Sequence, residues 1–122
     1  LRIRKVFGGG MRQAGYLAAA GSYALKHHRK DLSLDHKRAK EIAEVLENCS
    51  FVHEIQPVTT NIIIFSLKSD YDEVQFVQEL KEKQILIIGL GKGKLRMVTH
   101  RDYTQEHHTY LLTTLSKMEV YA

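Results

Sequence analysis

The chain has 122 residues, 43% of them hydrophobic and 26% charged, and its formal net charge is +4. This is the length and composition of one globular domain with a real core. The single cysteine, Cys49, excludes an internal disulfide and fits a reducing, cytoplasmic compartment. No apolar run is long enough to span a membrane. The positive net charge is too small to require a nucleic-acid partner.

The chain begins with a basic segment and a glycine run, which leads into a helix predicted from residue 13 to about residue 28. The glycines are Gly8, Gly9 and Gly10, and the cations Lys5 and Arg12 flank them. Glycine backbone can adopt positive φ and approach a ligand closely, and the N–H groups at a helix start favour an anion. The pattern predicts either a phosphate or carboxylate site or a flexible junction with solvated charges.

The helix predicted over residues 13–28 is apolar nearly all round, which implies burial on several sides. Its small residues Ala14, Ala18 and Gly21 form a strip that another element can approach closely. Because the chain offers little else to cover such a helix, we expect it to pack against another domain or subunit.

A second helix is predicted after Asp31 or Ser33, either of which can cap it. Its apolar residues recur at the spacing of an amphipathic helix, at Ala39, Ile42, Ala43 and Leu46. Residues 51–55 predict a short strand that Pro57 ends, and residues 60–67 predict a central strand because their composition is β-branched.

The second half of the chain predicts a helix, two strands and a final helix. Asp70 and Glu73 have the spacing of a capping box for a helix to about Lys83. Residues 85–88 predict a buried strand, residues 89–94 a turn, and residues 95–100 the returning strand. Thr104 can cap the last helix, whose apolar stripe is Leu111, Leu112, Leu115 and Met118. This order predicts an α+β fold, a small antiparallel sheet with helices on one face.

Arg96 stands in the last predicted strand between Leu95 and Met97. Alternation along a strand places Arg96, Val98 and His100 on one face. A guanidinium in an apolar strand must find a partner or reach water, and its planar fork suits a carboxylate. From periodicity alone, a ligand contact and a solvated edge residue are equally good interpretations. His100 is a candidate supporting residue because it shares this face.

The other candidate patterns favour structural interpretations. The glycines at 89, 91 and 93 lead from one strand into another, which favours a hairpin turn over a phosphate loop. The seven histidines include two adjacent pairs, at 27–28 and 107–108, but none has the spacing of a metal site. We therefore expect surface histidines and no metal.

Residues 4–20 resemble the R-K-x-x-G-G-G-M-R-Q-x-G-x-L-A-A-A segment of the low-specificity threonine aldolases. Further similar residues follow in family order: Asp35-His36 with Ala39 and Lys40, Thr60-Asn61-Ile62, and Arg96-Met97-Val98-Thr99-His100-Arg101-Asp102. The resemblance covers nearly the whole chain, and its glycine run and R-x-V-T-H strand are specific. These aldolases are pyridoxal-phosphate enzymes with the aspartate-aminotransferase-like fold, also called fold type I.

The resemblance implies a lyase that cleaves threonine or allo-threonine to glycine and acetaldehyde with pyridoxal phosphate as cofactor. It implies that Arg96 binds the substrate α-carboxylate. It places Lys5, Arg12 and the glycines between them at the cofactor phosphate, the substrate or a subunit interface, without deciding which residue does which. It also implies a homo-oligomer, a dimer or tetramer with shared sites.

In the family, the lysine that carries the cofactor precedes the glycine run, and no such segment occurs here. We therefore expect residues 1–30 to be a loop and a long apolar lead-in helix that belong with an upstream PLP-binding domain. Residues 31–122 would form the small C-terminal α+β domain. The chain starts at Leu1 rather than at Met, which fits the C-terminal part of a longer enzyme, and alone it should be inactive.

Two functions of other classes stay open. The chain could be a non-catalytic basic α+β module that binds RNA through its sheet, or a fragment that dimerises with an intact copy. An RNA-binding sheet usually exposes aromatic residues among basic ones, whereas residues 62–65 and 85–88 have the composition of a core.

Overall fold

The structure is a computed structural model that describes residues 2–118. The chain divides into two compact units, Leu1–Lys30 and Asp31–Ala122. No helix within the described residues combines the length and the apolar character that crossing a membrane requires.

The first unit holds two helices, α1 (Arg2–Val6) and α2 (Ala14–His27). Helix α1 was not anticipated from the sequence, whereas α2 forms where a helix was predicted. None of the residues in either helix is buried. Large apolar side chains are instead open to solvent, among them Phe7 at 85% exposure, Tyr16 at 81% and Leu25 at 72%.

The second unit is an α+β layer. In chain order its elements are α3 (Leu32–Glu47), β1 (Val52–Ile55), β2 (Ile62–Leu67), α4 (Glu73–Glu82), β3 (Ile88–Gly91), β4 (Lys94–Val98) and α5 (Gln105–Lys117). The four strands form one antiparallel sheet in the order β1-β2-β4-β3. The small antiparallel sheet predicted from the sequence is therefore confirmed.

The core lies between one face of the sheet and the helices. Strand β2 buries every second residue and strand β4 buries Leu95 and Met97, as expected for strands that are covered on one side. Helices α3, α4 and α5 supply the opposite wall. The buried residues of this core are Ala39, Ile42, Leu46, Phe51, Ile63, Phe65, Leu67, Phe76, Leu80, Leu95, Met97, Leu111, Leu115 and Met118.

The predicted buried strand over residues 85–88 is wrong. Strand β3 runs from Ile88 to Gly91, and Leu86 is 81% exposed. Gln84 has a φ of 60°, and the Ile85 amide donates to the Leu80 carbonyl at 2.8 Å, which closes helix α4 instead of starting a strand. The apolar composition of this segment reflects the half-buried Ile85 and Ile87, which pack on the core from a loop.

Two smaller predictions also need correction. The predicted turn over residues 89–94 is too long, and the residue that caps α4 differs from the one predicted. Gly89 lies in β3, and only Lys92 and Gly93 form the turn between β3 and β4. Asp72, not Asp70, caps α4, and its Oδ1 accepts from the Gln75 amide at 2.8 Å. Thr104 caps α5 as predicted, in a capping box with His107.

Candidate functional site

Arg96 lies at the centre of the uncovered face of the sheet. In the register of the sheet it pairs with Ile64 on β2 and with Ile88 on β3, so its two cross-strand neighbours are aliphatic. The Nε atom is buried without a hydrogen-bond partner, and the guanidinium has no ion pair within residues 2–118. A buried N–H left unpaired costs about 1–3 kcal/mol. This arrangement suits an external carboxylate, which a guanidinium can bind through two parallel hydrogen bonds.

Arg38 also has a buried Nε without a partner, but its surroundings differ. One of its terminal nitrogens donates to the Tyr103 carbonyl, and the other donates to Gln105 Oε1 at 3.3 Å. Its guanidinium carbon lies 5.7 Å from the centre of the Tyr103 ring, a cation–π contact. Arg38 is thus occupied inside the fold, whereas Arg96 is available to a ligand.

Three polar residues hold the end of β4. The Thr99 amide donates to the Asn61 carbonyl at 3.0 Å, and Asn61 Nδ2 donates to the Thr99 carbonyl at 2.7 Å. The Thr99 hydroxyl donates to the carbonyl of Asp35 on α3 at 2.8 Å and is itself buried. These bonds fasten β4 to β2 and to α3 three residues beyond Arg96. They give a structural role to the side chains of Asn61 and Thr99, whereas Asp35 contributes only its backbone carbonyl.

Glu73 fastens the turn between β3 and β4 to the start of α4. Its two carboxylate oxygens accept from the amides of Gly91 at 3.0 Å and Gly93 at 2.8 Å. A Cβ atom at Gly89 would lie 2.3 Å from Glu73 Oε1. A side chain at Gly89 would therefore displace the Glu73 carboxylate from these hydrogen bonds, and Gly89 lies in β3 rather than in the turn.

We expect Gly89→Ala and Glu73→Ala each to lower the free energy of unfolding by about 1 kcal/mol, since each breaks the same pair of hydrogen bonds. The double variant should cost no more than either single variant, because the added methyl group has nothing to displace once the carboxylate is gone. Urea unfolding of the four proteins measures this. Additive losses would show that the two residues act independently.

The glycine run closes helix α1. The Gly9 amide donates to the Arg4 carbonyl at 2.7 Å and the Gly8 amide donates to the Lys5 carbonyl at 3.1 Å, which together form a Schellman motif. Gly8 has a φ of 79°, and a Cβ atom at Gly9 would lie 2.9 Å from the Arg4 carbonyl oxygen. The Gly10 amide donates to the Gly8 carbonyl at 3.0 Å. The three amides are thus engaged within the turn.

Lys5 and Arg12 lie on either side of this turn, and both are exposed. Neither forms an ion pair with any described residue. Helix α2 starts at Ala14 and lacks a side-chain cap at Gln13. Lys5 and Arg12 are therefore available to an anion through their side chains, and the predicted anion site remains a prediction.

A polar chain, with His108 buried and Glu41 and Tyr103 partly exposed, crosses the helical layer of the second unit. His108 is 2% exposed, and its Nε2 lies 2.8 Å from Glu41 Oε2 while its Nδ1 lies 3.2 Å from the Tyr103 hydroxyl. The expectation that the histidines lie at the surface is thus wrong for His108. The sequence offered one signal, since His108 precedes Leu111 and Leu115 at helical spacing and so shares their buried face. Within the described residues, no three potential metal ligands come together.

Burial raises the pKa of Tyr103 from 10.0 to about 12, although nearby Arg38 lowers it to a smaller extent. Because the folded pKa exceeds the unfolded one, the associated stability is fully present below pH 10 and is lost as the pH rises towards 12. The difference in phenolate absorbance between the wild type and Tyr103→Phe should therefore titrate with a midpoint near 12. A midpoint near the ordinary value of 10 would contradict the buried position.

Comparisons with known proteins agree on one family. The sequence model of the beta-eliminating lyase family matches residues 1–70. Low-specificity L-threonine aldolase 1 of Arabidopsis thaliana is 34% identical over 114 residues, which are 91% of this chain and 32% of that protein. The low specificity L-threonine aldolase of Escherichia coli O157:H7 is 36% identical over 106 residues, 87% of this chain and 30% of that protein. The chain spans about a third of the length of these relatives.

Solved structures share the fold. A complex of the cystine C-S lyase C-DES with cysteine persulfide superposes with a TM-score of 0.57 at 20% identity, over 68% of this chain and 23% of that one. A C-DES mutant with glycine covalently linked to its PLP cofactor gives 0.58 at 18% identity, over 72% and 24% of the two chains. The histidinol-phosphate aminotransferase of Clostridium acetobutylicum gives 0.54 at 20% identity, over 66% and 25%.

Proposed function

Because this chain belongs to the beta-eliminating lyase family, we propose that it is the C-terminal part of a PLP-dependent aldehyde-lyase. The proposed reaction is cleavage of L-threonine or L-allo-threonine to glycine and acetaldehyde. The relatives named threonine aldolases, 31–36% identical over most of the chain, support this choice of substrate. The observation that carries the proposal is Arg96, a cation without a partner among the described residues, which lies between Ile64 and Ile88 on the uncovered face of the sheet.

Arg96 is the proposed ligand of the substrate α-carboxylate. A carboxylate placed against this face would satisfy the buried Nε and neutralise the guanidinium in one step. Ile64 and Ile88 on the neighbouring strands would keep water from this ion pair, which strengthens it. The bonds among Thr99, Asn61 and Asp35 would hold the strand so that Arg96 fixes the orientation of the amino acid. His100 follows Thr99, is exposed, and is a proposed supporting residue.

Lys5 and Arg12 are the proposed contacts to the cofactor phosphate or across a subunit interface. Both are exposed cations that form no ion pair with residues 2–118, which fits an anionic group. Because the amides of Gly8, Gly9 and Gly10 already donate within the turn, the contact would come from the two side chains. The glycines would serve to turn the chain sharply between the two cations.

When bound, pyridoxal phosphate would supply the electron sink that carbon–carbon bond cleavage requires. The residues of this chain would bind and orient, while the lysine that holds the cofactor would belong to an upstream domain. The solvent-exposed apolar residues of α2, such as Tyr16, Leu17 and Leu25, support the proposal that this lead-in helix packs on that domain or on a second subunit. We therefore propose a dimer or tetramer, and no activity for these residues alone.

The decisive experiment combines intact mass with product analysis. The protein is purified from its source and treated with borohydride, which would fix the cofactor permanently on its lysine. We expect a longer chain that gains one pyridoxyl group and that forms glycine and acetaldehyde from threonine. A protein without this mass gain and without these products would refute the proposal.

The alternative functions are not favoured. The uncovered face of β2 and β4 carries Ile62, Ile64, Ser66, Lys94, Arg96 and Val98, and none of these is aromatic. A sheet that binds single-stranded RNA needs aromatic rings on which the bases stack. Absence of salt-dependent RNA binding would remove this alternative altogether.

A further inference from the structure

The second unit contains a cavity that does not involve Arg96. It lies where the loop before β3, the end of β4 and the start of α5 meet, and its volume is about 380 Å³. Ligand sites for small molecules typically have volumes of about 300–1,000 Å³. Its walls are largely apolar, with Ile42, Ile85, Ile87, Met97 and Leu111 among them.

Two tyrosines add aromatic faces to these walls. The Tyr103 hydroxyl is bound to His108, and the Tyr110 hydroxyl donates to the Lys83 carbonyl at 3.0 Å. Their hydroxyls are therefore engaged within the fold, and their rings act as apolar surface. The polar side chains left to meet a ligand are His100, Asp102, His107 and Gln84, all of which line the cavity.

Backbone amides select the tautomer of both histidines. The Asp102 amide donates to His100 Nδ1 at 3.2 Å, and the Thr104 amide donates to His107 Nδ1 at 3.3 Å. An imidazole nitrogen that accepts a hydrogen bond carries no proton, so each neutral ring has its proton on Nε2. Both rings are thus hydrogen-bond donors at Nε2, which suits an anionic oxygen and disfavours a metal ion at that atom.

Asp102 places a negative charge on the same rim of the cavity as the two histidines. Its carboxylate forms no hydrogen bond or ion pair within residues 2–118, and the residue is exposed. A purely anionic ligand would be repelled by it, and a purely cationic ligand would leave the two imidazole donors without an acceptor. A zwitterion satisfies both, with its carboxylate at the histidines and its ammonium group at Asp102.

We propose that this cavity binds an α-amino acid with an apolar side chain, which would lie against the aliphatic and aromatic walls. Arg96 does not line the cavity, so this site is distinct from the proposed substrate contact, although His100 lines the cavity and would be shared by the two. The proposal does not depend on the lyase activity.

The test is calorimetric titration of the protein with L-phenylalanine as the probe. Saturable binding is expected, with 2-phenylethylamine and 3-phenylpropionate, which each lack one charge, binding at least about tenfold more weakly. If either analogue binds as tightly as L-phenylalanine, the proposal that the cavity recognises both charges of a zwitterion is wrong. If L-phenylalanine does not bind, the proposed site does not exist.

Two substitutions at one position supply the matched control. Glutamine and glutamate can both accept from the Thr104 amide and so preserve the helix cap, but only glutamine can donate to the ligand. His107→Gln should keep the affinity within a few-fold, whereas His107→Glu should lose about tenfold or more. His53→Glu, on the exposed part of β1, should change nothing.

Arg96→Gln separates this site from the proposed substrate site. It should leave the affinity for L-phenylalanine unchanged. Loss of binding in Arg96→Gln together with full binding in His107→Glu would place the amino acid at Arg96, and the inference would be wrong.

Discussion

Replacing Arg96 by glutamine is expected to lower kcat/KM for the amino-acid substrate by about 100- to 1,000-fold, the equivalent of roughly 3–4 kcal/mol. The guanidinium is the only partner that we assign to the substrate carboxylate, and its aliphatic neighbours offer no replacement. Steady-state kinetics of the full enzyme with threonine measure the effect. A contact that is equally strong in the ground state and the transition state would show mainly as a higher KM.

Two further variants make this result specific. Arg96→Lys keeps the charge but not the planar fork, and it should recover only part of the loss. Arg101→Gln removes a nearby exposed arginine, whose Nη1 lies 3.1 Å from Asp31 Oδ2 in a surface ion pair. Such pairs contribute little, so this variant should keep almost full activity. Equal losses in Arg96→Gln and Arg101→Gln would argue against a carboxylate contact at Arg96.

The largest effect on stability is expected for Ile63→Ala, which should lower the free energy of unfolding by about 2–5 kcal/mol. Ile63 is fully buried near the start of β2, its side chain lies between the sheet and the helices, and truncation would leave a cavity there. Denaturant unfolding followed by circular dichroism measures the loss.

Ile62 is the matched control for this prediction. It is the same residue type on the same strand, but it points to the uncovered face and is 41% exposed. Ile62→Ala should cost about 1 kcal/mol or less, since surface truncations seldom cost more. Equal losses at the two positions would mean that the uncovered face is buried in solution.

Periodicity was enough to identify most of the second unit. The two-residue alternation of β4 placed Leu95 and Met97 on the face opposite Arg96, and the structure buries both. The β-branched composition of residues 60–67 indicated strand β2, although it did not show that Ile62 is exposed while Ile63 is buried. The stripe of α3 and the cap of α5 were equally readable, because amphipathic spacing and side-chain capping depend only on neighbouring residues.

Periodicity failed where distant residues decide the conformation. The apolar run over residues 85–88 and the glycines after it indicated a buried strand and a turn, but β3 begins only at Ile88. Gly89 lies in this strand where the carboxylate of Glu73, sixteen positions earlier in the chain, occupies the space that a side chain would fill. A contact of this kind leaves no local pattern, so no window of sequence can reveal it.

For the candidate site, too, local patterns were predictable from the sequence and long-range contacts were not. The motif residues identified the family, periodicity indicated the α+β class, and the resemblance made Arg96 the candidate ligand, because motifs and alternation are local properties of the chain. Only the tertiary structure showed that the Arg96 Nε has no partner within residues 2–118, that buried His108 bridges Glu41 and Tyr103, and that His100 and His107 line one cavity. Burial and unpaired donors arise when segments far apart in sequence pack together, and that packing is what the fold adds.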